Sequence, residues 1–117
     1  LQALNDAKRT DIPMYTIDVS NDDINLMRTN NTVWRSTAAV DPKLIGIVDM
    51  RLLASKFAGV ETPDYYNLAA SSIKTDDLKE DTAMATLSTV VPGWGDASTD
   101  ASFNLDWMDT LRKQSAK

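Results

Sequence analysis

The side chains that carry out most enzyme chemistry are missing here: none of the 117 residues is Cys and none is His. That excludes thiolate nucleophiles, disulfides, Cys/His zinc sites and imidazole bases, and with them Ser-His-Asp and Cys-His catalysis. Acid–base work would fall to carboxylates, Lys or Tyr. Of the 17 acidic residues all but Glu61 and Glu80 are Asp. Asp prefers caps, turns and ligand-facing loops to helix interiors, so the bias predicts many short, capped segments.

Among these carboxylates Asp18 and Asp41 stand out. Asp18 closes an apolar run, where it serves either as a hydrogen-bond acceptor for a ligand or as a cap for the turn into a helix at Ser20. Asp41 precedes Pro42, and Asp-Pro at a helix start explains it as an N-cap. Other acidic patterns fall away. Asp18-x-Ser20-x-Asp22 opens like a calcium loop, but Asp23 stands where the sharp-turn Gly belongs and Thr29 where the bidentate Glu belongs, so no calcium is expected. Adjacent pairs such as Asp22-Asp23 and Asp76-Asp77 point apart on a helix and do not make a glycosidase carboxylate pair. Gly93-Trp94-Gly95 lacks the spacing and the Lys of a phosphate-cradling loop.

The elements that must position these residues alternate along the chain. Leu1 to Arg9 reads as a helix without Met or a cap before it, so the chain is expected to begin within a longer protein. Ile12-Pro13-Met14-Tyr15-Thr16-Ile17-Asp18 is a strand signal. Ser20 to Asp23 approximates a capping box, with Ile24, Met27 and Arg28 at helical spacing behind it and Asn30-Asn31 as the stop. Val33 to Val40 is β-branched and small, a second strand. From Asp41 a helix carries Ile45, Val48 and Leu52 on one stripe and ends at Gly59, and it is expected to be the best-buried helix. Tyr65 to Ile73 reads as a third strand. Thr75 and Asp81 then cap short helices over Asp76–Lys79 and Thr82–Val91, Pro92 to Gly95 breaks the chain, and Asn104, Trp107, Met108 and Leu111 mark a closing helix, with Phe103 in its core. The α-β-α-β-α-β-α-α order with short connections predicts an α/β layer structure with a mainly parallel sheet.

Composition agrees with a folded chain: 43% hydrophobic, 25% charged, with three Trp, three Tyr and two Phe. A net charge of -5 argues against a nucleic-acid partner, because phosphate-backbone binding draws on a surplus of Lys and Arg. No apolar run approaches the roughly 20 residues that span a bilayer.

Three passages, taken in this order, resemble the type I periplasmic sugar-binding proteins, the ribose- and galactose-binding-like components of bacterial ABC transporters. Leu1 to Asp18, "LQALNDAKRTDIPMYTID", is similar to that family's helix, surface turn and "IPV" strand ending in Asp. Ser36 to Gly46, "STAAVDPKLIG", is similar to its hinge strand and the Asp-Pro-x-x-x-Gly helix start. Phe57 to Leu78, "FAGVETPDYYNLAASSIKTDDL", follows its Gly-ended helix, Pro turn, returning strand and Thr-Asp-Asp-Leu segment. The resemblance covers the first two-thirds of the chain.

It implies part of a doubly wound parallel sheet, the C-terminal portion of a two-lobed fold: residues 1–40 in the C-terminal lobe, 41–66 as a helix crossing to the N-terminal lobe, and 67–117 as a returning strand and C-terminal extension. It also implies a sugar or polyol held between the lobes without catalysis, no cofactor or metal, ABC transporter membrane subunits as partners, and the remainder of the chain or a swapped copy to complete the fold. The expected location is the periplasm, or an extracellular, membrane-associated one in a Gram-positive. Asp18 occupies the place of the family's sugar-hydroxyl acceptor. Val40 stands just before Asp41-Pro42, where family members often have Asn or Gln bonding sugar hydroxyls; the departure removes the expectation of that direct polar contact and points to a less hydroxylated ligand. Trp94 is a candidate to stack on a sugar ring or to anchor its own loop, and Trp34 reads as strand packing. Two rival readings remain at this level: the effector domain of a sugar-responsive transcription regulator, and a stand-alone α/β enzyme using Asp carboxylates.

Overall fold

A computed structural model describes residues 1–96. The element order is α1 (Gln2–Asp6), β1 (Met14–Ile17), α2 (Asn21–Thr29), β2 (Trp34–Ala39), α3 (Pro42–Phe57) and β3 (Ser71–Lys74), followed by 3₁₀ turns at Thr75–Asp77 and Met84–Thr89. The closing helix expected around Asn104 to Leu111 lies outside the described residues.

The strands form one sheet in the order β1-β2-β3. It is mixed. β1 and β2 run parallel, joined through α2, whereas β3 runs antiparallel to β2 with Thr37 opposite Ile73 and Ala39 opposite Ser71. A bulge between Met14 and Tyr15 in the β1–β2 register sets Met14 opposite Trp34 but Tyr15 opposite Ser36. Arg35 is thereby skipped, so the inward positions of β2 are Trp34, Thr37 and Ala39 rather than every second residue.

Local signals explain the helices. Ser20 Oγ accepts from the Asp23 backbone N–H at 3.2 Å and donates to Asp23 Oδ2 at 2.7 Å, while Asp22 and Asp23 lie in the first turn of α2, where the helix dipole favours them. Asp41 Oδ1 accepts from the Lys43 backbone N–H at 2.9 Å, and Pro42 begins α3. The same helix ends in a Schellman motif: Val60 N–H reaches the Ser55 carbonyl, Gly59 N–H the Lys56 carbonyl, and Gly59 takes φ +74°.

Two compact units divide the chain at Val40/Asp41, Leu68/Ala69 and Trp94/Gly95. The first unit, residues 1–40 with 69–94, contains the core: Ile24 and Met27 of α2, Trp34 and Ala39 of β2, Ile73 of β3, and Leu87, Val91 and Trp94 behind them. Its buried polar groups are paired. The Trp34 indole donates to Thr16 Oγ1 at 3.0 Å and Thr75 Oγ1 donates to the Trp34 carbonyl at 2.5 Å, while at the surface the Met84 backbone N–H donates to Asn21 Oδ1 at 2.8 Å. Arg28 adds a clamp, donating to the carbonyls of Lys79 and Glu80.

Several expectations are corrected. The expected strand over Tyr65–Ile73 is confined to Ser71–Lys74, because β2 offers pairing partners only from Ser36 to Ala39. The two short helices are 3₁₀ turns rather than α-helices, and Thr75 spends its hydroxyl on the sheet instead of capping. In α3, within the second unit, only Val48 and Ser55 are buried, so it is not the best-buried helix. Its apolar residues surround the axis: a second seam of Gly46, Met50, Leu53 and Phe57, spaced at helical intervals opposite Val48 and Ser55, is exposed.

Same-type substitutions on one sheet should separate core from open face. Ile73 is fully buried and Ile17 is 85% exposed. In urea unfolding, Ile73→Ala is expected to cost about 2–5 kcal/mol. Ile17→Ala is expected to cost under about 1 kcal/mol.

Candidate functional site

The parallel β1–β2 pair ends with both carboxyl termini on one side of the first unit, and antiparallel β3 begins there at Ser71. Ligands of open α/β sheets sit beyond such strand ends, where the backbone leaves the ladder and side chains face outward. Asp18 and Val40 are the residues that follow β1 and β2 at this end.

Asp18 has an unusual backbone. Its φ is +73°, the left-handed region that a side chain with a Cβ rarely enters and that Asp and Asn tolerate best. Its N–H donates to the Ala38 carbonyl at 2.9 Å, the last bond of the ladder, and its carbonyl accepts from Thr37 Oγ1 at 2.6 Å. Its side chain is exposed, and no described residue hydrogen-bonds its carboxylate. The cap of α2 is Ser20 instead. Capping therefore does not account for the Asp18 side chain, which leaves an acceptor-only group with its lone pairs open at the sheet end.

Val40 is half-buried and Asp41, the next residue, opens the second unit as the cap of α3. In that unit the Gly95 backbone comes so close to Asp41 that a Cβ at Gly95 would overlap Asp41 Oδ2, and Gly95 holds φ +70°. Trp94 is placed in the first unit. It is 6% exposed and packed with Ile24, Leu87 and Val91, so its ring anchors the Pro92–Gly95 turn to the core and offers no open face for a ring ligand. Trp34 packs in the strand as expected. A residue not legible as functional is Thr37, 1% exposed and bonded to the Asp18 carbonyl. The one-residue shift at Arg35 moves it onto the inward face, and no sequence period marks that.

An open cavity of about 520 Å³ lies elsewhere in the first unit, lined by residues that include Arg28, Asn31, Thr75, Asp76 and Glu80. These residues precede β2 and follow β3, which places the cavity at the opposite end of the sheet from Asp18. Among the described residues no group of three or more His, Cys, Asp or Glu is arranged to hold a metal ion, and no helix is long and apolar enough to cross a membrane.

A solved sugar ABC transporter protein from Yersinia enterocolitica subsp. enterocolitica 8081 matches this structure with a TM-score of 0.78 and 45% sequence identity. The match covers 97% of the chain. The chain carries part of a periplasmic-binding-protein fold. It spans about a third of the solved protein's length, 34%. The resemblance to the type I periplasmic sugar-binding proteins is thus supported by a three-dimensional match over nearly every residue. No family model and no curated protein matches the chain.

In this part of a periplasmic-binding-protein fold, the close approach of Gly95 to Asp41 makes a local prediction. Gly95→Ala is expected to destabilise the chain by about 2–3 kcal/mol, through its positive φ and the clash with the cap. Asp41→Ala should cost about 1 kcal/mol. Because the clash disappears with the carboxylate, Gly95→Ala should cost less in an Asp41→Ala background, a coupling read from urea unfolding of the two single variants and the double.

Proposed function

We propose that this chain is part of the solute-binding component of a bacterial ABC transporter, one that holds a sugar or polyol between two lobes and performs no chemistry on it. The observation that carries the reading is the 45% identity, over 97% of the chain, to a protein described as a sugar ABC transporter. In this reading residues 1–40 belong to the C-terminal lobe, 41–66 cross to the N-terminal lobe, and 67–117 return and extend beyond it. Asp18 accepts hydrogen bonds from ligand hydroxyls. A carboxylate suits this task because it is acceptor-only and takes two neighbouring hydroxyls at once. Val40 and Asp41 contribute to the ligand surface at the crossing, Val40 through its backbone and apolar side chain.

Such a component works in the periplasm, or outside the cell in a Gram-positive, and presents its closed form to transporter membrane subunits. The chain's open surfaces support a further partner, the remainder of a longer polypeptide or a swapped copy. Tyr15 and Ile17 project from the uncovered face of a sheet whose parallel half would ordinarily be buried on both sides. In the second unit the Met50 and Phe57 seam of α3 is likewise exposed.

Calorimetry against a panel of sugars and polyols tests the reading, using the chain joined to the part of the Yersinia protein outside the match, with circular dichroism as the folding control. One member of the panel should bind, and Asp18→Asn should weaken it by roughly 10- to 100-fold, as expected when a charged acceptor worth about 1.5–3 kcal/mol becomes half donor. Asn tolerates the positive φ, so the fold should persist. A folded protein that binds nothing on the panel would sink the solute-binding reading, and unchanged affinity in Asp18→Asn would remove Asp18 from the ligand surface. The chain by itself is expected to show no micromolar sugar binding.

A further inference from the structure

We infer that Thr37 is a positioning residue, whose buried hydroxyl locks the left-handed backbone of Asp18 and so aims the Asp18 carboxylate outward from the end of the sheet. The inference rests on the reading of Asp18 as the ligand acceptor.

Asp18 is one of two residues other than Gly with positive φ among the described residues, the other being Lys8 in the turn after α1. A left-handed residue with a Cβ is unfavourable unless its surroundings hold it. Three tethers do so. The Asp18 N–H is tied to the Ala38 carbonyl, its carbonyl is tied to Thr37 Oγ1 at 2.6 Å, and the next side chain, Val19, packs against the core. The ladder bond is available to an extended residue too, and Val19 only needs burial. Thr37 Oγ1 is the tether that reaches the carbonyl after the chain has turned, so it selects the left-handed form.

Its location makes the lock directional. Thr37 is 1% exposed and sits on the inward face of β2, where the bulge at Arg35 has placed it, and β-branching restricts its χ1. The donor therefore comes from a fixed point in the core to a backbone atom of the exposed residue. With its own N–H and carbonyl both satisfied, Asp18 leaves neither carboxylate oxygen engaged by a described residue. Without the hydroxyl, the Asp18 peptide is free to relax toward the extended region, and its side chain then departs along the opposite side of the backbone.

Two measurements test this. NMR of the completed polypeptide with labelled Asp should show the positive-φ signature at Asp18, a strong intraresidue N–H to Hα Overhauser effect. Thr37→Val, of nearly the same shape but with no donor, should abolish that signature, and Thr37→Ser should keep it. Calorimetry on the completed polypeptide should show Thr37→Val weakening the bound sugar about tenfold, the size of one net hydrogen-bond term, and Thr37→Ser by less than about twofold. In an Asp18→Asn background Thr37→Val should bring no further loss, because the oriented carboxylate is already gone. Retention of the signature in Thr37→Val overturns the inference, as does an equal loss of affinity in both backgrounds, which is what a merely structural role predicts. Unchanged affinity in Asp18→Asn alone overturns the ligand reading and Thr37's part in it, while the NMR result separately decides whether the lock exists.

Discussion

Parallel pairing of β1 with β2 is the constraint on which the first unit depends. Two parallel strands cannot be joined by a tight turn, so the chain must leave the end of β1 and travel back along the sheet before starting β2. Residues 18–33 make that journey through α2. The crossover lays Ile24 and Met27 over the inward side chains of the sheet, and it brings both strands to finish at the same edge. Asp18 and Val40 share that edge for no other reason. β3 then closes the far side of β2 in the opposite direction, which sends the Thr75–Asp77 turn and the Arg28 clamp to the other end. Candidate ligand chemistry and structural polar chemistry are thus sorted to opposite ends by strand direction alone.

The bulge at Arg35 is a second constraint with larger consequences than its size suggests. Shifting register by one residue exchanges the two faces of a strand. Before the bulge Trp34 faces the core, and after it Thr37 and Ala39 do. The Trp34 indole donates its N–H to Thr16, the β1 residue in register with Thr37. The small Ala39 and short Thr37 occupy the end where the Asp18 peptide must turn in. Their size permits the backbone to approach, and the Thr37 hydroxyl gives the turned carbonyl a partner.

What was legible in the sequence follows from how locally each feature is determined. Asp41-Pro42, Ser20 with Asp23, and Gly59 are read correctly as caps because capping chemistry acts over three or four residues. The cores of β1 and β2 are legible for the same reason. Burial of α3 is not, since its apolar residues lie all round the axis and nothing local says which side is covered. The strand expected over Tyr65–Ile73 is longer than β3 because Tyr65 to Ala70 has strand-like residues but pairs with no strand among the described residues. The candidate place of Asp18 comes from the resemblance, and its alternative role as the cap of α2 is removed only by the structure, where Ser20 takes it. Its positive φ and the part played by Thr37 depend on a tertiary contact across two strands, which a single sequence does not encode in any short pattern.

Local conformation and ligand chemistry converge on one residue type at position 18. The left-handed backbone there suits Gly best and, among residues with a side chain, penalises Asn and Asp least. Gly brings no polar group, and Asn presents a donor beside its acceptor. Asp alone combines tolerance of that backbone with a group that only accepts, which is what the proposed binding of adjacent hydroxyls requires. Among the described residues nothing hydrogen-bonds the same carboxylate, and the neighbouring acids Asp22 and Asp23 occupy the first turn of α2. In the proposed reading, an exposed acceptor on a left-handed backbone, with neither carboxylate oxygen taken by a described residue, is the group that would grasp a neutral polar ligand at the end of the sheet.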